Sequence, residues 1–178
     1  MLPPTHLAAG FLIAHVTAPY FKKKTKKHHL LFVIICLFSI LPDIDLLWAW
    51  DDHRFNALHF PSFWLILCLA LVVFGRLTRL KWLTHLALAV FLGAISHLVL
   101  DSIGIFNGIY WLYPLINAKY SMLPITIVPP KDLIGLTRVY FSHPLYIWES
   151  LICAISIAVY VNAKRWPFSI LSNLQAKR

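Results

Sequence analysis

Residues 82–101 read Trp82-Leu83-Thr84-His85-Leu86-Ala87-Leu88-Ala89-Val90-Phe91-Leu92-Gly93-Ala94-Ile95-Ser96-His97-Leu98-Val99-Leu100-Asp101. From Trp82 to Leu100 the run carries no Asp, Glu, Lys or Arg. Its length suits a helix crossing a hydrocarbon core about 30 Å thick at about 1.5 Å per residue. It ends on a histidine and an aspartate four residues apart, which share one helix face. A rod that is apolar along its length and carries an imidazole and a carboxylate at its tip sets the terms for the rest of the chain.

Four similar stretches run from His6 to Phe21, His29 to Trp48, Phe60 to Gly75 and Leu145 to Val161, each bounded by charge or proline. The chain as a whole is 60% hydrophobic and 13% charged, with a mean hydropathy of +0.72. That is more apolar side chain than one soluble domain can bury. The expected fold is all-α, a polytopic membrane helical bundle of about five spans that forms one domain over residues 1–178. No internal repeat or low-complexity linker interrupts it. Residues 102–143 make a long segment between the last two spans, rich in aromatics and prolines such as Trp111, Tyr113, Pro114, Pro124, Pro129 and Pro130. Such a composition suits a membrane interface and a cap or gate over a site. Cys36, Cys68 and Cys153 all fall inside spans and read as apolar packing residues. Val16-Thr17-Ala18 resembles a signal cleavage site, but the basic residues follow the apolar run, which favours a retained span.

Charge gives the orientation. Lys22, Lys23, Lys24, Lys26 and Lys27 separate the first two spans, Arg76, Arg79 and Lys81 the next two, and Lys164, Arg165, Lys177 and Arg178 follow the last. By the positive-inside rule these face the cytoplasm, leaving the N-terminus outside and the C-terminus inside. All seven carboxylates, Asp43, Asp45, Asp51, Asp52, Asp101, Asp132 and Glu149, then fall on the opposite side. The net charge of +9 reads as membrane anchoring, because lysines near an anionic leaflet each contribute about 1 kcal/mol. Nucleic acid is not an expected partner.

Counting along the helices brings five candidate groups to one height. His6 to Lys22, His29 to Asp43, His59 to Arg76, Lys81 to His97 and Glu149 to Lys164 are separations of roughly 21 to 26 Å. A metal-site layer is therefore expected near the extracytoplasmic face, within reach of a lipid's phosphate or ester linkage. His97 and Asp101 can hold one metal ion or two neighbouring ions, or can satisfy each other as a buried pair. In Leu41-Pro42-Asp43-Ile44-Asp45, proline breaks the helical ladder and two acids offer oxygens to one cation from a turn. Those acids oppose the helix dipole and call for a compensating cation, either Arg54 or a metal. His53, Arg54 and His59 follow in the loop entering the third span. His6 follows Thr5, which looks like an N-cap, while His143 and Glu149 open the last span beside Ser142 and Pro144. His15 stands roughly 13 Å along its helix from His6, and His85 about 18 Å from His97, so both fall outside the layer. His28 and His29 belong with the lysines.

Together, His6, the LPDID segment, the His53-Arg54…His59 loop and the HLVLD segment resemble the YdjM-type family of LexA-regulated inner-membrane metal-dependent hydrolases. The likeness spans nearly the whole chain. Where members carry an HRGxTHS-like string, this chain reads His53-Arg54-Phe55-Asn56-Ala57-Leu58-His59-Phe60-Pro61-Ser62, with the second histidine displaced by one residue and no glycine. More distantly, the ligand order is similar to that of zinc-dependent phospholipase C and its nuclease relatives, which implies phosphoester hydrolysis by analogy of fold and site.

On this reading His6, Asp43, Asp45, His53, His59, His97 and Asp101 hold two or three divalent ions, zinc being the expected metal for mixed histidine and carboxylate ligands. A water acidified to a pKa near about 7 attacks a phosphorus or carbonyl centre of a membrane lipid or lipid-linked substrate. Asp45 orients that water, and Arg54 stabilises the developing negative charge. The alternative is a non-enzymatic metal-binding membrane protein or a metal transporter. Transport sites lie near the midplane with polar access from both faces, whereas Leu30 to Leu37 and Leu65 to Phe74 are nearly devoid of polar groups.

Overall fold

A computed structural model describes residues 2–47, 55–103, 108–122 and 133–163. Among these the regular elements are helical: α1 (Pro3–Lys24), α2 (His28–Phe38), α3 (Pro61–Leu77), α4 (Trp82–Ile103), α5 (Leu133–Ser142) and α6 (Leu145–Ala163). Two short 3-10 helices, Leu41–Leu47 and Ala57–His59, lie between α2 and α3. The extended contact among described residues is a single bridge between Ile109 and Tyr120. The all-helical expectation therefore holds for them. By length and composition alone, α4 and α6 are long and apolar enough to cross a membrane, while α2 and α3 are apolar but shorter.

The expected second span is shorter than sequence apolarity implied. A helix from His29 to Trp48 was the expectation, but α2 ends at Phe38. Pro42 has no N–H to donate to the Phe38 carbonyl, so the helical ladder cannot continue. The chain tightens instead, and the Asp43 amide donates to the Ile40 carbonyl at 3.0 Å. In an α-helix that amide would have taken the Ser39 carbonyl. Ser39 is thereby left with an acceptor free to leave the helix axis.

At the other end of the chain, α1 starts two residues before Thr5, with Leu2 as its N-cap. Pro3 and Pro4 occupy the first helical positions, where a missing N–H costs nothing and the fixed φ suits the turn. Thr5, expected as the cap, turns its hydroxyl to another helix.

Helix α4 is the axle. It packs on α1, α2 and α3, while α6 leans against α1 from outside and α5 against α6. On one side, Ala87, Val90, Ala94 and Leu98 meet Trp64 and Cys68 of α3 together with Ile109. On another, Ala89 joins Ala14 and Phe21 of α1 with Leu31 and Ile35 of α2. The approach of α2 depends on Gly93, where a Cβ would stand 2.6 Å from the Ile35 carbonyl oxygen and 2.8 Å from Phe38 Cβ. Small residues at such crossings let backbones come together where lipid supplies no hydrophobic drive between helices.

The lysine-rich loops meet at one end of this bundle. Lys27 Nζ sits 4.1 Å above the ring of Trp82, the first residue of α4, so the α1–α2 turn and the α4 start are neighbours. Lys22, Lys23 and Lys24 occupy the last turn of α1, where cations complement the helix dipole. At the α3–α4 turn Arg79 adopts φ +58°, the left-handed conformation that glycine favours after a helix end.

Candidate metal centre

The opposite end collects the polar groups. Helix α4 presents His97 and Asp101 on one face, with His97 Nε2 3.5 Å from Asp101 Oδ2. The orientation of His97 is set by Ser39, whose released carbonyl oxygen lies 2.9 Å from Nδ1. A carbonyl can only accept, so Nδ1 carries the hydrogen and Nε2 is the atom turned toward the acids. That arrangement joins the proline break in the sequence to the tautomer of a buried histidine.

The 3-10 turn after α2 delivers the next pair. Asp43 Oδ1 stands 3.4 Å from His97 Nε2 and 3.6 Å from His59 Nε2. His59 rides on its own 3-10 turn, where the Asn56 side chain accepts from the Leu58 amide and the Trp64 indole donates to the Leu58 carbonyl at 2.7 Å. Its Nε2 lies 3.8 Å from Asp101 Oδ2, and its other nitrogen, Nδ1, faces Asp45 Oδ2 at 3.5 Å. Asp43, His59, His97 and Asp101 thus present four ligand atoms within 4.8 Å of one another. His59, His97 and Asp101 are buried, and Asp43 is the member of the four with most access to solvent.

These separations discriminate between an ion-pair network and a cation site. Charge-assisted N–H···O bonds settle near about 2.7–2.9 Å. Ligands bonded at about 2.0–2.1 Å to one tetrahedral ion stand about 3.4 Å apart. The observed contacts of 3.4 to 3.8 Å match the second pattern. Nor does His97 Nε2 make a hydrogen bond, although it is buried between two carboxylates. As a neutral ring it would turn a lone pair on two acids, which is repulsive unless a cation stands between them, and as a protonated ring it would draw the acids closer than 3.4 and 3.5 Å. The donor set therefore fits a divalent ion.

His6 completes the cluster from α1. Its ring stacks on that of His97 with centroids 3.9 Å apart, and its Nε2 lies 3.3 Å from Asp101 Oδ1 and 3.9 Å from Asp43 Oδ2. The first turn of α1 is held by Glu149 of α6, which accepts from the Leu2 amide at 3.0 Å and the Thr5 hydroxyl at 2.7 Å. A carboxylate at a helix N-terminus also complements the dipole. Burial, together with the neighbouring Glu149 carboxylate, pushes the Tyr140 phenol well above its ordinary value.

Of the residues singled out in the sequence, His6, Asp43, His59, His97 and Asp101 come together, and Asp45 stands behind His59. His53 and Arg54 lie outside the described residues. His143 accepts the Leu145 amide at the start of α6, at 3.2 Å. His15 stacks on Phe11, His85 meets the edge of Tyr20, and His28 lies against His29. Sequence reasoning did not find Ser39, whose backbone does the work, nor the partners of Glu149. The nearest signal for Ser39 was its place ahead of Pro42.

Residues 108–122 pack against the same end. The Trp111 indole donates to Ser102 Oγ and the Met122 amide to the Ser102 carbonyl, each at 2.8 Å, so residues 108–122 fold back onto the residue after Asp101. Phe60, next to His59, stacks on Tyr113 with centroids 4.2 Å apart. Residues 108–122 are the described part of the segment expected, from its composition, to cap or gate the site.

A family model for the YdjM inner membrane protein matches residues 1–167 and so spans every residue of the cluster. No curated protein and no solved structure matches the chain. The match is consistent with the apolar character of α4 and α6, and both favour a membrane location. With nearly its whole length covered by one model, the chain belongs to the YdjM inner membrane protein family.

Proposed function

We propose that the chain is a multi-pass inner-membrane hydrolase that cleaves a phosphoester or ester bond of a lipid or lipid-linked substrate. The observation that carries this reading is the set of four ligand atoms, two imidazole and two carboxylate, spaced as around one ion. Zinc suits such a donor set. A divalent ion in the cluster that keeps one coordination position open would supply acidification of a water and polarisation of the oxygen under attack.

The chain's own residues have separable tasks. His59 and His97 fix the ion's position, each oriented from behind, His97 by the Ser39 carbonyl and His59 by Asp45. Partners of that kind raise ligand basicity and hold the ring. Asp45, assigned from the sequence to orient water, is better placed for this outer role. Asp43 is the ligand with most access and suits handling of the water proton. Arg54 is retained as the group for the developing negative charge.

Several features support lipid as the substrate environment. Side chains next to the ligands in sequence are apolar and outward, including Leu7 beside His6 and Ile44 between the two aspartates. Exposed apolar residues continue along α2 (Leu30, Val33), α3 (Ile66, Leu69, Val73) and α6 (Ile147, Leu151, Ile157). Contiguous apolar exposure of that extent marks an interaction surface, here the bilayer. Five spans are retained, with the cluster near the outer face and the lysine end in the cytoplasm, on the strength of the basic-residue distribution.

The test is hydrolysis of phospholipid vesicles by purified protein, with and without a chelator, and by the His97→Ala variant. Metal-dependent release of a headgroup or acyl product, lost in the variant, is the expected result. Metal binding without hydrolysis of any lipid class, combined with metal uptake into proteoliposomes, would move the assignment to transport.

A further inference from the structure

We infer that the cluster holds two cations of unequal character, a closed position between His59 and His97 and an open one at His6. The inference rests on the metal-centre reading above and concerns how its oxygens are shared. Asp101 turns Oδ2 to His59 and His97 but Oδ1 to His6, at 3.3 Å. Asp43 does the same, with Oδ1 toward His59 and His97 and Oδ2 toward His6 at 3.9 Å. Each carboxylate thus presents one oxygen to either side, as a bridging ligand does.

His6 supplies the independent observation. It is fully buried, and neither ring nitrogen makes a hydrogen bond. Burying an imidazole without partners is costly. Were it an imidazolium paired with Asp101, the contact should shorten toward about 2.8 Å. Its Nε2 is aimed at Asp101 Oδ1 and Asp43 Oδ2, whereas His59 and His97 stand nearest the other oxygen of each carboxylate.

The two positions differ in their ligands. His59, His97, Asp43 and Asp101 make four donors and close a tetrahedron, the pattern of a retained ion. His6 with one oxygen from each carboxylate makes three, leaving coordination open for water or a substrate oxygen. Fewer imidazoles and a larger oxygen share favour a weaker, exchangeable ion, with manganese or magnesium competing better there than at the closed position.

Metal-free wild-type protein in detergent, titrated separately with zinc and manganese, reports on this by elemental analysis and electron paramagnetic resonance. Two ions per chain in two separable steps are expected, with an exchange-coupled manganese spectrum at full loading. His6→Ala should drop to one ion and lose the coupling, and His6→Gln should do the same if the alanine variant fails to fold. One ion in the wild type, or an unchanged count in both His6 variants, overturns the inference and leaves the single-ion centre standing. No ion in the wild type overturns both.

Discussion

The two ends of the bundle are built from the same apolar helices and handle their polar groups in opposite ways. At the lysine end, Lys22, Lys23 and Lys24 point outward from the last turn of α1, and Lys27 rests on Trp82. Those charges keep contact with water or headgroups and need no internal partner. At the other end His6, Asp45, His59, His97 and Asp101 are withdrawn from solvent and face one another. Buried ionisable groups must be compensated inside the protein, so this end has to carry a specific arrangement, whereas the lysine end needs only a charge density. The difference predicts that substitutions at the polar end act on metal and chemistry, and those at the lysine end act weakly on stability alone.

The comparison is most exposed at His97. Its replacement by alanine should abolish both bound metal and lipid hydrolysis, as read by elemental analysis and product release. Retention of full metal occupancy would place the ion elsewhere. Next in size is Asp45→Asn, which keeps volume but weakens the support behind His59. Losing such an outer partner typically lowers metal affinity by about 10–100-fold, measurable by competition with a chromophoric chelator. An unchanged affinity would remove Asp45 from the site.

Glu149 separates position from charge. Glu149→Ala strands the Leu2 amide and the Thr5 hydroxyl, so a stability loss of about 1–3 kcal/mol is expected, accompanied by weaker metal binding through His6. Glu149→Gln retains an acceptor oxygen and should recover most of both. Acid should release metal for a related reason, because three imidazoles must be deprotonated to bind. Affinity is expected to fall as pH drops, because protons compete with the ion for the imidazole nitrogens. A metal content that stays constant down to pH 5 would argue against imidazole ligands. The smallest effect belongs to the lysine end, where Lys27→Ala removes a cation–π contact of about 0.5–1 kcal/mol and should leave metal content untouched.

How far the sequence carried this arrangement depends on which interactions residue type encodes. His97 and Asp101 were legible because four-residue spacing fixes a common face, and counting residues from the lysines brought His6, Asp43 and His59 to the same level. His59 was reached by that count even though its spacing departs from the family string, and the 3-10 turn that places its ring is geometry a string does not record. The early end of α2 was only partly legible. Pro42 marked a break, but where the chain would go afterward depended on the Asp43 amide choosing Ile40 over Ser39. The use of the Ser39 carbonyl was not legible at all, since any residue type supplies that acceptor. Glu149 was visible as a polar group at the right height, yet its partners Leu2 and Thr5 come from the far end of the chain. Apolar runs, finally, give the number of candidate spans more readily than their lengths, and two helices rather than five meet both criteria among the described residues.

X-ray absorption at the zinc edge of protein purified from zinc-supplemented cells tests the central claim most directly. A first shell of mixed nitrogen and oxygen at about 2.0–2.1 Å, with the outer-shell scattering of imidazole, is the predicted spectrum. Protein that carries no metal, or a shell dominated by sulfur, would contradict the account.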